Sequence, residues 1–140
     1  MLNKKLEKVS YANKDYGKIK RHFITFYEHF SKFGEKVDKL GISSSKRCEN
    51  KFSFKFLDIN FSIEISFVNI KNENKGRVTF SKVYLEDGVE KNEKIGTEFF
   101  IDKRGNMYDG DNFGMHVSES YSIEEVVVKW LNEYLESVSE

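Results

Sequence analysis

The 140-residue sequence contains no proline and a single cysteine, Cys48. Because no proline-rich or low-complexity tract marks a linker, we expect one domain over residues 1–140. A lone cysteine cannot form an internal disulfide, which favours a reducing, cytoplasmic location. No apolar run approaches the roughly 20 residues that cross a bilayer, and no apolar segment follows the charged N-terminus, so we expect neither membrane association nor a secretory signal.

Motifs that carry chemistry are also missing. His22 and His29 are seven residues apart, about 10 Å along a helix, which is too far for two ligands of one zinc ion. Asp109-Gly110-Asp111 keeps only a fragment of the calcium-loop spacing. The sequence has no Gly-x-Ser-x-Gly elbow and no phosphate-binding glycine loop. We therefore expect no catalytic residue, no metal and no cofactor, and the residues point to no known family.

What the sequence does have is an apolar stripe in its N-terminal third. Its members repeat at three- and four-residue steps, which places them on one side of an α-helix. We predict a helix over 13–40, with Asn13 as N-cap and Gly41 ending it, preceded by a possible helical arm over 1–12. The stripe consists of Tyr16, Ile19, Phe23, Phe26, Phe30, Phe33, Val37 and Leu40.

A strict heptad stripe also raises the alternative of a coiled coil and helix-mediated dimerisation. Phenylalanine is uncommon at a coiled-coil seam, and a segment rich in Phe and Ile follows in the chain. We therefore prefer packing of the helix on a sheet.

Alternating apolar residues predict that sheet over 52–117. The apolar parity switches from even to odd at Asp58, which indicates a tight hairpin there or, less favoured, a bulge. Residues 42–51 are predicted to be a polar connector and residues 69–76 a loop. Further strands are predicted over 77–86 and 94–102, with short strands at 106–108 and 115–117 and irregular chain between them.

A second amphipathic helix is predicted over 122–138, where Ser122 and Glu125 have the form of a capping box. The fold class is then α+β with two layers. A long N-terminal helix and a C-terminal helix pack on an antiparallel meander sheet of about five strands.

The formal net charge of zero hides a segregation of charge. Residues 1–50 hold 12 basic and 6 acidic side chains, and residues 51–140 hold 11 and 17. The two ends either face each other in the fold or steer a charged partner. A basic face is predicted on the first helix, opposite the apolar stripe, and it consists of Lys14, Lys18, Arg21, Lys32, Lys36 and Lys39.

A partner-binding patch is predicted on the polar face of the sheet. Phe100, with Tyr84 or Val83, falls on that side of its strand, and exposed aromatic residues there are typical of protein interfaces. The alternative is that the second helix covers this face. The candidate partner-binding residues are Tyr84, Phe100, Asp102, Arg104, Tyr108, Asp109, Asp111 and Phe113.

These patterns favour a small non-catalytic protein that binds and inhibits or neutralises another protein, such as an immunity, anti-defence or inhibitor-type factor of a microbe or phage. A nucleic-acid-associated regulator that uses the basic helix face is the alternative. A third hypothesis is a small enzyme or ligand-binding domain with a pocket lined by residues 102–112. The protein is expected to be a monomer or a homodimer.

Overall fold

The computed structural model describes residues 2–109 and 112–140. It confirms the α+β class, with two helices on an antiparallel sheet. The described residues form eight strands, more than the predicted five. In chain order the elements are α1 (Leu2–Lys36), a 3₁₀ helix (Asp38–Leu40), β1 (Ser43–Cys48), β2 (Lys51–Phe56), β3 (Ile59–Ile70), β4 (Glu73–Glu86), β5 (Val89–Lys94), β6 (Phe99–Asp102), β7 (Asn106–Asp109), β8 (Asn112–His116) and α2 (Ser120–Ser137).

The N-terminal apolar stripe forms the centre of the core. Ile19, Phe23, Phe26 and Phe30 are all at most 2% exposed, because they face the sheet. Helix α1 is continuous from Leu2, so Asn13 lies inside the helix and does not cap it. The helix ends at Lys36, earlier than predicted, and the 3₁₀ helix follows before the chain turns at Gly41, which has the expected positive φ of 64°.

Two-residue turns join the first long strands. The switch of parity at Asp58 is a hairpin, as predicted, in which Leu57 and Asp58 both have positive φ and Phe56 pairs with Ile59. The predicted loop 69–76 is wrong, because β3 and β4 continue to a second such turn at Lys71 and Asn72. The composition of residues 69–75 is typical of a loop, because this segment is rich in Asn and Lys, although both strands continue through it.

Strand β4 carries two partners on one edge. Its residues Ser81–Glu86 pair with β5, and Lys75–Val78 pair with β6. The predicted continuous strand 94–102 is therefore wrong, since the chain leaves the sheet at Gly96, whose φ is 74°. Helix α2 provides a hydrogen-bond donor for the backbone between β5 and β6: the indole N–H of Trp130 donates to the Thr97 carbonyl at 2.8 Å.

Both ends of the sheet differ from the expectation. The predicted polar connector 42–51 contains β1, which pairs with β2, because backbone pairing at an edge does not require apolar side chains. Strand β8 begins at Asn112 within the segment predicted to be irregular. Helix α2 begins at Ser120, so the predicted capping box is wrong: Ser122 is buried inside the helix and Glu119 is the N-cap, without a side-chain capping bond.

The two helices pack on the same face of the sheet. Trp130 of α2 lies 5.2 Å from Phe80 and 6.2 Å from Phe26 between ring centroids, so α1, α2 and the sheet share one aromatic core. Tyr134 packs edge-on against Phe61 from the same side. The opposite face, which we call the open face, is covered by no element in the described part of the chain.

Gly76 on β4 leaves space for Ile19 of α1 to pack against the sheet. A Cβ atom there would lie 2.5 Å from Ile65 Cδ1 and 2.6 Å from Ile19 Cγ2, whereas nothing lies within 4 Å of a Cβ at Gly17. We expect Gly76→Ala to lower the free energy of unfolding by about 1–3 kcal/mol through overpacking. Gly17→Ala should raise it by up to about 1 kcal/mol through helix propensity. Urea unfolding of both variants checks this, and equal stabilities would contradict the packing of α1 on β4.

Candidate functional site

Strand register brings charged and aromatic side chains together on the open face. Arg77 of β4 pairs with Phe100 of β6, which pairs in turn with Tyr108 of β7. In the adjacent row Lys75 pairs with Asp102. Because side chains on paired residues project to the same side of a sheet, these residues form one surface.

On this surface each cation lies over a ring. The Lys75 ammonium lies 4.3 Å from the centroid of Tyr108, and the Arg77 guanidinium carbon lies 5.7 Å from that of Phe100. The Lys75 side chain is only 16% exposed, which is low for a lysine. We call Lys75, Arg77, Phe100 and Tyr108 the cation–aromatic patch. Cation–π contacts restrain the side chains of this patch.

Glu98 borders the patch and pairs with two cations. Its carboxylate contacts the Lys94 ammonium, and its second oxygen lies 3.5 Å from Arg77 Nε. Arg77 Nε is buried and makes no hydrogen bond among the described residues, so this contact is electrostatic only. The Arg77 side chain as a whole is 41% exposed.

Asp102 organises the β6–β7 turn beside the patch. Its carboxylate accepts hydrogen bonds from the backbone N–H groups of Arg104 and Asn106, at 2.9 and 3.0 Å, and from the Asn106 amide and the Tyr108 hydroxyl, at 3.1 and 2.8 Å. Burial alone would raise the pKa of Asp102, but these four bonds outweigh it and lower the pKa below its ordinary value of 3.8. Burial of Tyr108, together with the hydrogen bond that its hydroxyl donates to Asp102, raises the pKa of Tyr108.

A polar pocket of about 460 Å³ opens beside this turn. It lies between α1, the β3–β4 turn and the β6–β7 turn, and the Asn74 amide donates to the Asp15 carboxylate across it at 3.0 Å. Its walls carry both signs of charge and several amides. The lining residues are Asp15, Asn72, Glu73, Asn74, Asp102, Lys103, Arg104, Asn106 and Tyr108.

Two histidines hold the same turn from the other side. His22 of α1 donates from Nε2 to the Lys103 carbonyl at 3.1 Å, and His116 of β8 donates from Nε2 to the Arg104 carbonyl at 2.8 Å. A carbonyl oxygen can only accept, so Nε2 is the donor in each of the two histidines. Within the described residues, no group of three or more His, Cys, Asp or Glu side chains is placed to hold a metal ion.

The structure assembles part of the predicted partner-binding set. Phe100, Asp102 and Tyr108 lie together, and Arg104 lines the adjoining pocket. Asp109 instead pairs with Lys129 of α2 at 2.7 Å, and Tyr84 lies apart on the β4–β5 hairpin. Asp111 lies outside the described residues. Phe113 is in β8, but its side chain is outside the description.

The predicted basic face is exposed. Lys14, Lys18, Arg21, Lys32 and Lys36 lie along one side of α1, while Lys39 lies in the 3₁₀ helix and not in α1 as predicted. The sequence analysis does not identify Lys75, because it predicts a loop over residues 69–76. It predicts a strand at Arg77, but the pairing of Arg77 with Phe100 depends on the register of β4 with β6, which the sequence pattern does not reveal.

No protein-family model matches this chain, and neither does any curated protein or solved structure. Among the described residues, neither α1 nor α2 has an apolar stretch of the length needed to traverse a bilayer.

The Asp102 network predicts a pH-dependent stability. We expect Asp102→Asn to lower the free energy of unfolding by about 1–2 kcal/mol at pH 7, because an amide cannot accept all four bonds and the site is partly exposed. The folded-state pKa is lowered, so the contribution of the carboxylate is complete above the ordinary value of 3.8 and is lost as the pH falls through the folded-state value. Urea unfolding at pH 7 and pH 3 should show the difference between variant and wild type shrinking in acid.

The exposed Glu64→Gln is the matched control, since it removes a carboxylate from the same open face. An Asp102→Asn effect that is equal to that of Glu64→Gln at both pH values would contradict the structural role of Asp102.

Proposed function

We propose that this chain is a non-catalytic protein that binds another protein through the cation–aromatic patch. The observation that carries the proposal is a set of aromatic and cationic side chains held in place on a sheet face that no described element covers. Tyr and Arg are the residue types that dominate binding energy in protein interfaces, and rigid side chains lose little entropy on association.

The chemistry of the patch defines the partner it fits. Arg77 presents a cation over the Phe100 ring, so a partner that places a carboxylate among apolar side chains would match both features. The Arg77 side chain is 41% exposed, so an incoming carboxylate would bind the accessible part of its guanidinium, while Lys75, which pairs with Glu73, holds the Tyr108 ring in place. We therefore propose an acidic surface of a partner protein as the ligand.

A non-catalytic role is supported by the state of the acid at the site. The Asp102 carboxylate is occupied by four hydrogen bonds, and its pKa is lowered, so it is a weak base at neutral pH. We propose that binding inhibits or neutralises the partner, as in immunity, anti-defence or inhibitor-type proteins of microbes and phages. We also propose that the protein acts in the cytoplasm, which suits an exposed, unpaired Cys48.

We expect the double variant R77A/F100S to lose the partner. Affinity purification from the native host, with and without phage infection, should recover one protein in stoichiometric amount on the wild-type chain. The matched control is K91A/L85S, which removes one cation and one apolar side chain from the exposed β4–β5 hairpin. Reconstitution with the purified partner should show binding weakened by about 2 kcal/mol or more in R77A/F100S and unchanged in the control.

Equal binding by both variants would refute the patch as the interface. Recovery of nucleic acid in place of protein, with a strong salt dependence and loss in K18E/K32E/K36E, would instead support the regulator that uses the basic face of α1.

A second candidate function is favoured by the polar pocket, whose volume of about 460 Å³ is within the range of small-ligand sites. Its mixed lining would suit a small zwitterionic molecule such as an amino acid. Thermal unfolding should then shift upward with one member of an amino-acid panel, and Asn74→Ala should abolish the shift. An unchanged midpoint across the panel removes this candidate.

A further inference from the structure

The first three turns of α1 project from the body of the protein. Residues 3–11 are all exposed, Asp15 and Tyr16 are half-buried, and the first fully buried side chain is that of Ile19. We call residues 3–14 the arm. Since α1 is one continuous helix, the arm cannot fold back on its own sheet without breaking.

The arm carries apolar side chains that nothing covers. Leu6 and Val9 are 58% and 68% exposed, and they continue the three-four rhythm of the buried stripe. Four lysines accompany them against one glutamate: Lys4, Lys5, Lys8 and Lys14 against Glu7.

Helix α2 presents the complementary surface. Tyr121, Val128 and Leu135 recur every seven residues, so they form a second stripe on the side away from the core, and they are 52%, 39% and 40% exposed. Glu124 and Glu125 lie on either side of this stripe between Tyr121 and Val128. The charge balance of α2 mirrors that of the arm, with Glu124, Glu125, Glu133 and Glu136 against Lys129.

These charges are not paired with each other inside one chain. Lys129 is neutralised by Asp109, and the ion pairs within the described residues include none that links α1 with α2. Within the described residues, the basic apolar arm of α1 and the acidic outer stripe of α2 are therefore both left uncovered on the same molecule.

We propose that the occupant of the α2 stripe is the arm of a second copy of this chain. Leu6 and Val9 pack against the stripe of Tyr121, Val128 and Leu135, while Lys5 and Lys8, on one flank of the arm, face Glu124 and Glu125. One three-turn contact is small beside the roughly 1,200 Å² of a stable interface, so the two copies exchange both arms about a two-fold axis. The open face takes no part, so this dimer and the proposed partner binding stand or fall separately.

Analytical ultracentrifugation over an approximately hundredfold range of concentration tests the dimer. Twice the 16.5 kDa monomer mass is expected at the upper end. L6S/V9S and V128S/L135S should each raise the dissociation constant about tenfold or more, since each removes two apolar contacts per interface. The control L57S/L85S removes two leucines that are equally exposed on hairpins and should leave the dissociation constant unchanged.

Charge-reversal variants test whether lysines of the arm pair with glutamates of α2 in the second copy. K5E/K8E should weaken the dimer, and the combined variant K5E/K8E/E124K/E125K should restore it. Raising the salt concentration should weaken the wild-type dimer by screening. Circular dichroism of each variant confirms that the fold is retained.

Three results would overturn the proposal: a monomer at every concentration, a dimer insensitive to both serine variants, or a dimer lost in L6S/V9S but kept in V128S/L135S. A monomer whose arm is required for co-sedimentation with anionic phospholipid vesicles would replace the second copy with a membrane surface.

Discussion

Burial of the phenylalanine stripe of α1 on one face of the sheet determines most of the structure. Phe26 contacts both the sheet, through Phe99, and α2, through Trp130, so the two helices must lie side by side. With both helices on that face, no element in the described part of the chain covers the other face, which carries rows of polar side chains. Gly76 allows the approach, because any side chain there would hold Ile19 of α1 away from Ile65.

The sequence predicted those parts of the fold in which periodicity and burial agree. The Phe stripe and the alternation of Phe52, Phe54 and Phe56 give the layers, and the parity switch at Asp58 gives the hairpin. Predictions failed where the chain is polar but still paired. Strand β1 and the β3–β4 turn have loop-like composition, and their structure comes from backbone hydrogen bonds that side-chain patterns do not encode.

Only part of the candidate site could be predicted from side-chain patterns in the sequence. Phe100 and Tyr108 stand out as aromatic residues on the polar parity of their strands, so they could be named from the sequence. Lys75 and Arg77 join them only through the register of β4 with β6, which is a long-range property of the fold. The role of Asp102 also depends on the turn, because four donors converge on it only when residues 102–108 adopt this conformation.

The positions of the two helices show which of the segregated charges form ion pairs within the chain. If the basic and acidic ends faced each other, ion pairs would link α1 with α2. In the described residues, however, α1 pairs with Glu49 and α2 pairs with Asp109, and the remaining ion pairs join residues of the sheet and its connections. Lys20 of α1 pairs with Glu49 and Glu133 of α2 accepts from Thr97, whereas Lys5 and Lys8 of α1 and Glu125 and Glu136 of α2 are exposed. Like charges gathered on one helix disfavour association of that surface with a copy of itself and favour a surface of the opposite sign. Because this chain carries both surfaces, its own second copy is the simplest molecule that satisfies both at once.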